Sequence, residues 1–136
     1  MGDGSVNGEP GTRLFEGQLS VEELSLVRRM LASWARDAGI DQETTNAVTL
    51  SVYEALANAV EHAYREEGRG PVEVSAVRIG RTLTLIVTDH GRWRAPDRDH
   101  RARGRGLTLI RRLGSYADVA GTATGTTVRM TWQLAA

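Results

Sequence analysis

The chain predicts an α+β domain, a two-layer α/β sandwich with helices on one face of a mixed, mostly antiparallel sheet. Two observations carry this. From Ser20 to Tyr64 the apolar residues recur at near-helical spacing, and from Val72 onward they alternate with a period of two. Segments of the two kinds bury their apolar faces against each other, and helices layered on one side of a sheet achieve that. A third observation sets the scale: 136 residues without an internal repeat make one domain with room for one core.

The elements follow in order. Residues 1–12 are Gly-rich and polar and predict a disordered N-terminal tail, leaving 13–136 as the domain. Arg13 to Leu19 predicts a first strand. Ser20 with Glu23 three residues later reads as a capping box. The helix behind it extends to about Ala38, with Leu24, Val27, Leu31 and Trp34 on one face, and Gly39 stops it. Asp41 caps a second helix that continues to about Tyr64. A turn at Gly68–Pro71 leads to a hairpin. Its strands alternate through Val72, Val74 and Ala76, then Leu83, Leu85 and Val87, about a Gly80–Arg81 turn. Residues 90–103 form a polar loop, and Gly104 to Leu113 a short helix with Leu107, Ile110 and Leu113 inward. Strands at Tyr116–Ala120 and Thr127–Leu134 close the domain.

Composition narrows the function. The 17 basic and 17 acidic side chains cancel, which argues against broad, salt-driven nucleic-acid binding. Without cysteine, neither a disulfide framework nor a thiolate metal site is available. No apolar run is long enough for a membrane span, and the N-terminus lacks a signal-peptide pattern, so a cytoplasmic protein is expected. Every basic residue is Arg, and those in the 92–105 stretch are densely spaced. Any phosphate contact by a basic side chain therefore uses a planar guanidinium fork.

Four segments hold groups suited to chemistry. On the second helix, Glu54 and Asn58 are four apart and neighbours on the surface, with Glu61 a turn further on. A carboxylate there can orient or deprotonate a nucleophile. An amide oxygen suits magnesium, which takes few protein ligands when phosphates supply the others. The plainer alternative is a solvated polar stripe. Asp89-His90-Gly91 ends a strand: the carboxylate can accept from an exocyclic amine, or simply close a turn. Gly104-Arg105-Gly106-Leu107 opens a helix whose N-terminal amides suit an anion, or is only a glycine-rich start with a solvated Arg. Thr126, in Gly125-Thr126-Thr127, can place its hydroxyl near the end of the Asp89 strand.

The order of these segments resembles the nucleotide-binding boxes of the GHKL superfamily, which includes gyrase, heat-shock chaperones, histidine kinases and mismatch-repair proteins. Within it the chain most resembles the small anti-sigma factor serine kinases, through E-A-L-A-N-A-V-E-H-A-Y at Glu54–Tyr64 and the segments after it. The resemblance covers about residues 13–134. It implies a Bergerat-type ATP-binding fold, ATP and Mg²⁺ as cofactors, and phosphorylation of a serine on an anti-sigma-factor antagonist. It implies a sigma factor as the second partner, homodimerisation, and no direct contact with nucleic acid or membrane. Residue by residue, it makes Glu54 the catalytic base and Asn58 the magnesium ligand. Asp89 becomes the adenine-reading carboxylate, Gly91 the glycine beneath the base, and Thr126 the support of that contact. Gly104, Arg105, Gly106 and Leu107 become the phosphate-facing turn. His62 fills the family's usual histidine position, with a structural role expected. One departure stands out: Trp93 replaces the second glycine of the usual Asp-x-Gly-x-Gly, where it would stack on the base or cover the pocket edge. Two other readings are open: a partner-binding module that senses nucleotide without catalysis, and a kinase-like domain of a larger signalling protein.

Overall fold

The computed structural model describes residues 5–6, 9–64, 66–91, 116–122 and 125–134. Two short strands, β1 (Ser5–Val6) and β2 (Glu9–Pro10), pair with each other inside the segment for which the sequence predicts a tail. The main sheet has five strands: β3 (Thr12–Ser20), β4 (Arg69–Ile79), β5 (Thr82–Asp89), β6 (Tyr116–Thr122) and β7 (Gly125–Gln133). Their order is β3-β4-β5-β7-β6. Every described pairing is antiparallel, so the expected mixed character is not seen among these strands. The helices are α1 (Leu24–Asp37) and α2 (Gln42–Asn58). Neither these nor any other described helix is long and apolar enough to cross a membrane.

Local chemistry sets the boundaries. Glu23 Oε1 accepts from the Ser20 amide at 3.0 Å, completing the capping box at a single 3₁₀ turn ahead of α1. Leu24, Val27, Leu31 and Ala35 form the buried line of α1. Trp34, expected on that face, packs only partly buried at its edge, because the step of four from Leu31 lands on Ala35. Gly39 adopts a φ of 80°, and Ile40 N–H bonds back to Ala35 O at 3.0 Å, closing the helix. Asp41 then accepts from Thr44 N–H at 3.1 Å to start α2. Hydrogen bonding from the Thr44 side chain, and then from its amide, holds the Asp41 carboxyl below the ordinary range.

The second helix departs from expectation near its end. Residues Ala59–Ala63 form a π-turn, with Tyr64 N–H bonding to Ala59 O at 3.2 Å. The cause lies in the spacing of the buried residues. Ser51, Ala55, Ala59 and Ala63 are buried, as are Val52, Leu56, Val60 and Tyr64, two series with a strict step of four. In a helix of 3.6 residues per turn such a series drifts by about 40° per step. One wider π-turn reverses the drift and keeps the last members facing the core.

The predicted turn at Gly68–Pro71 is tighter than expected. Gly68 alone takes the left-handed conformation, at φ 74°, and β4 begins at Arg69. Pro71 is tolerated there because it lies beyond the β5 ladder, which starts at Val72. The inward faces of β4, β5 and β7 supply Val72, Val74, Leu83, Leu85, Val87, Met130 and Trp132 to one core shared with both helices. Each fully buried side chain of this kind stabilises the fold by about 1.5–3 kcal/mol.

Candidate functional site

The alternation that buries Leu83, Leu85 and Val87 brings the last β5 residue, Asp89, onto the same helix-facing side. Its Cα partners are Val72 on β4 and Thr126 on β7. Asp89 is 4% exposed and Thr126 2%. Asp89 Oδ1 accepts from Gly91 N–H at 3.1 Å, closing a tight corner after the strand. Thr126 Oγ1 is buried without a hydrogen-bond partner among the described residues. Folded chains rarely leave a buried hydroxyl unpaired, and an exception calls for an explanation such as a ligand. Two other buried polar atoms share that condition, Ser51 Oγ on α2 and Trp132 Nε1, the latter far along β7 opposite Leu83. Gly125 packs against the Asp89 carbonyl, where a side chain has no room.

The end of the π-turn abuts this corner. A Cβ on Gly91 would stand 2.6 Å from Ala63 O and 2.7 Å from the Tyr64 ring. Glycine is thus required there by close packing; its φ is not left-handed. The Tyr64 hydroxyl donates to Pro71 O at 2.6 Å and accepts from His90 N–H at 2.8 Å. Burial raises its pKa above the ordinary 10.0, opposed by the His90 amide and assisted by the Asp89 and Glu67 carboxylates. The His90 imidazole points outward, 3.7 Å from Glu73 on β4.

Asn58 is the last residue of α2, and by helical rise roughly 7 Å before Ala63. Glu54 lies one turn earlier. Both side chains are half-buried, and among the described residues neither makes a hydrogen bond, so each can engage a ligand. Glu61 is exposed. The structure therefore brings Asp89, Gly91 and Thr126 to one sheet end, against the helix that carries Glu54 and Asn58. Gly104, Arg105, Gly106, Leu107 and Trp93 lie outside the described residues, as does the side chain of His62.

Sequence reasoning gave Tyr64 no role and missed the π-turn. The step-of-four series A-L-x-x-A-V-x-x-A-Y from Ala55 to Tyr64 was the available signal.

The donor set suits a purine nucleotide: a buried carboxylate for an exocyclic amine, with an unpaired hydroxyl beside it. No group of three or more imidazole or carboxylate ligands occurs among the described residues. A magnesium ion carried largely by phosphate oxygens needs no such group, and one amide oxygen fits it.

An antiparallel sheet covered on one face by helices, with this corner at its edge, defines a nucleotide-handling α+β domain. The model of the histidine kinase-like ATPase domain matches residues 18–132, and the chain belongs to that family. A serine-protein kinase RsbW of Bacillus velezensis is 34% identical over 70 residues, covering 52% of this chain and 44% of the relative. An anti-sigma F factor of Clostridium acetobutylicum is 37% identical over 70 residues, covering 52% of this chain and 48% of the relative. The matched stretch spans less than half the length of either relative. Among solved structures, the RsbU and RsbW domains of Rv1364c from Mycobacterium tuberculosis superpose with a TM-score of 0.68 at 25% identity. That match covers 88% of this chain and 32% of the other.

Proposed function

We propose that the chain is an ATP- and magnesium-dependent protein serine kinase that doubles as an anti-sigma factor. It phosphorylates a serine on an anti-sigma-factor antagonist, sequesters a sigma factor in its alternative partner state, and works as a homodimer. The observation that carries the nucleotide part is the Thr126 hydroxyl, without a partner among the described residues, beside the buried Asp89 carboxylate. The names of the RsbW and anti-sigma F relatives support the partner assignment.

The chemistry follows from the residues. Asp89 accepts from the adenine amino group, and the Thr126 hydroxyl gains the partner it lacks. Asn58 offers its amide oxygen to magnesium, which when bound neutralises phosphate charge. Gly104 and Gly106 amides with the Arg105 guanidinium cradle the phosphates. Glu54 accepts the proton of the substrate serine hydroxyl as its oxygen bonds to the γ-phosphorus. The bond from that phosphorus to the β–γ bridging oxygen breaks, and ADP leaves. Such transfer depends mainly on positioning and charge stabilisation.

Glu54→Gln tests the base. Serine phosphorylation of the antagonist should fall by roughly 10²–10⁴-fold, the range of general-base contributions, with ATP affinity nearly unchanged. A full transfer rate in the variant would refute the role. Trp93 in place of glycine motivates a second reading, a nucleotide-sensing module that holds a partner and transfers nothing. Tight ATP binding with no transfer to any antagonist serine would favour it. A domain of this kind also occurs within a longer chain, since the match covers 32% of the mycobacterial structure that holds RsbU and RsbW domains.

A further inference from the structure

We propose that Tyr64 is the positioning residue of the nucleotide corner, holding the turn after Asp89 at a fixed place against the helix that carries Glu54 and Asn58. This inference rests on the nucleotide-binding reading above. The Tyr64 ring is almost fully enclosed, at 6% exposure. Its hydroxyl uses its one proton on Pro71 O and a lone pair on His90 N–H, at 2.6 and 2.8 Å. A single side chain at the end of the π-turn thereby ties the start of β4 to the end of β5.

The ring itself is wedged between two glycines. A Cβ on Gly70 would run into it, and one on Gly91 would stand 2.7 Å from it. The two consecutive amides after Asp89 are thus fixed by different partners. Tyr64 holds His90 N–H, and the Asp89 carboxylate holds Gly91 N–H at 3.1 Å. The second bond constrains the carboxylate at Oδ1, and it depends on a backbone that the first bond anchors. The π-turn has a purpose in this light, since it brings residue 64 round to the core side where this contact is made. A phenylalanine would fill the same space and remove the bond that the hydroxyl makes to both the His90 amide and the Pro71 carbonyl.

The test is Tyr64→Phe in the full chain, with three readouts. Without nucleotide, amide hydrogen exchange at His90 and Gly91 should accelerate about fivefold or more, the factor expected for one lost hydrogen bond. Exchange at Leu85 and Val87 in the sheet should change little. ATP affinity should fall severalfold, and the ratio of ATP to GTP affinity should fall with it, because only the carboxylate's orientation reads the amine. A uniform rise in exchange across the sheet, or an equal loss of ATP and GTP affinity, would make Tyr64 an ordinary core residue and overturn the proposal. If the unaltered chain binds ATP and the variant binds it equally well with the same preference, the proposal alone falls. If the unaltered chain binds no ATP, the nucleotide reading falls and this role with it. In the unaltered chain, ATP with Mg²⁺ should slow exchange at His90 and Gly91 more than at the Gly80 turn. Equal protection of both turns would also overturn it.

Discussion

Replacing Thr126 with valine should make the chain more stable and worse at binding ATP. The structure sets both signs. Thr126 is 2% exposed, and among the described residues its hydroxyl has no partner. A buried hydroxyl left unpaired costs about 1–3 kcal/mol relative to one that is satisfied. Valine keeps the branched shape and removes that cost, so Thr126→Val should gain about 1 kcal/mol. In urea this moves the unfolding midpoint upward by about 0.5 M for a domain of this size. The same hydroxyl is assigned a hydrogen bond to bound nucleotide, and a neutral bond of about 1 kcal/mol corresponds to roughly a fivefold loss of affinity. Urea titration followed by tryptophan fluorescence and calorimetry with ATP·Mg²⁺ measure the two effects. Thr126→Ser is the control: it keeps the hydroxyl, loses a methyl, and should fold less stably while retaining ATP. A destabilised valine variant with unchanged ATP affinity would refute the reasoning, since the hydroxyl would then have a partner in the free protein and none in the ligand.

Two further outcomes follow from the corner. Gly91→Ala should destabilise by about 1–3 kcal/mol, the usual cost of overpacking, because the new methyl meets the Ala63 carbonyl and the Tyr64 ring. Equilibrium denaturation checks it, and a neutral effect would mean that the corner yields. Tyr64 makes stability depend on alkaline pH. Its folded pKa lies above the ordinary 10.0, so the stability it contributes is complete below that value and is lost as pH rises through the folded value. Tyr64→Phe should remove this alkaline slope in denaturation curves measured on either side of pH 10.

Much of the fold was legible because local signals and the apolar pattern agreed. Gly39 and Asp41 mark the gap between the helices through a left-handed backbone and a side-chain cap, and both appear as expected. The hairpin about Gly80 is legible for the same reason, with alternation on both sides of a glycine at φ 61°. Extending the alternation of β5 and β7 to their ends brings Asp89 opposite Thr126, so the meeting of these two is legible in the sequence. The π-turn was not, since Ala and Val at Ala59–Ala63 fit any helix and only the unbroken step of four betrays it. Tyr64 escaped because its importance depends on Pro71 and His90, which approach it only in the folded chain. The resemblance makes Gly91 the glycine beneath the base, while its packing against Ala63 and Tyr64 needs tertiary contact to be seen.

The central claim is that this sheet end and this helix hold ATP with magnesium. Calorimetry with ATP·Mg²⁺ on the unaltered chain, Asn58→Ala and Asp89→Asn tests it most directly. The account predicts binding by the unaltered chain and weaker binding by both variants. For Asn58→Ala the loss should shrink when magnesium is withheld, while for Asp89→Asn it should persist. No binding at millimolar ATP, or binding that neither substitution weakens, would contradict the account and leave a partner-holding domain of the same fold.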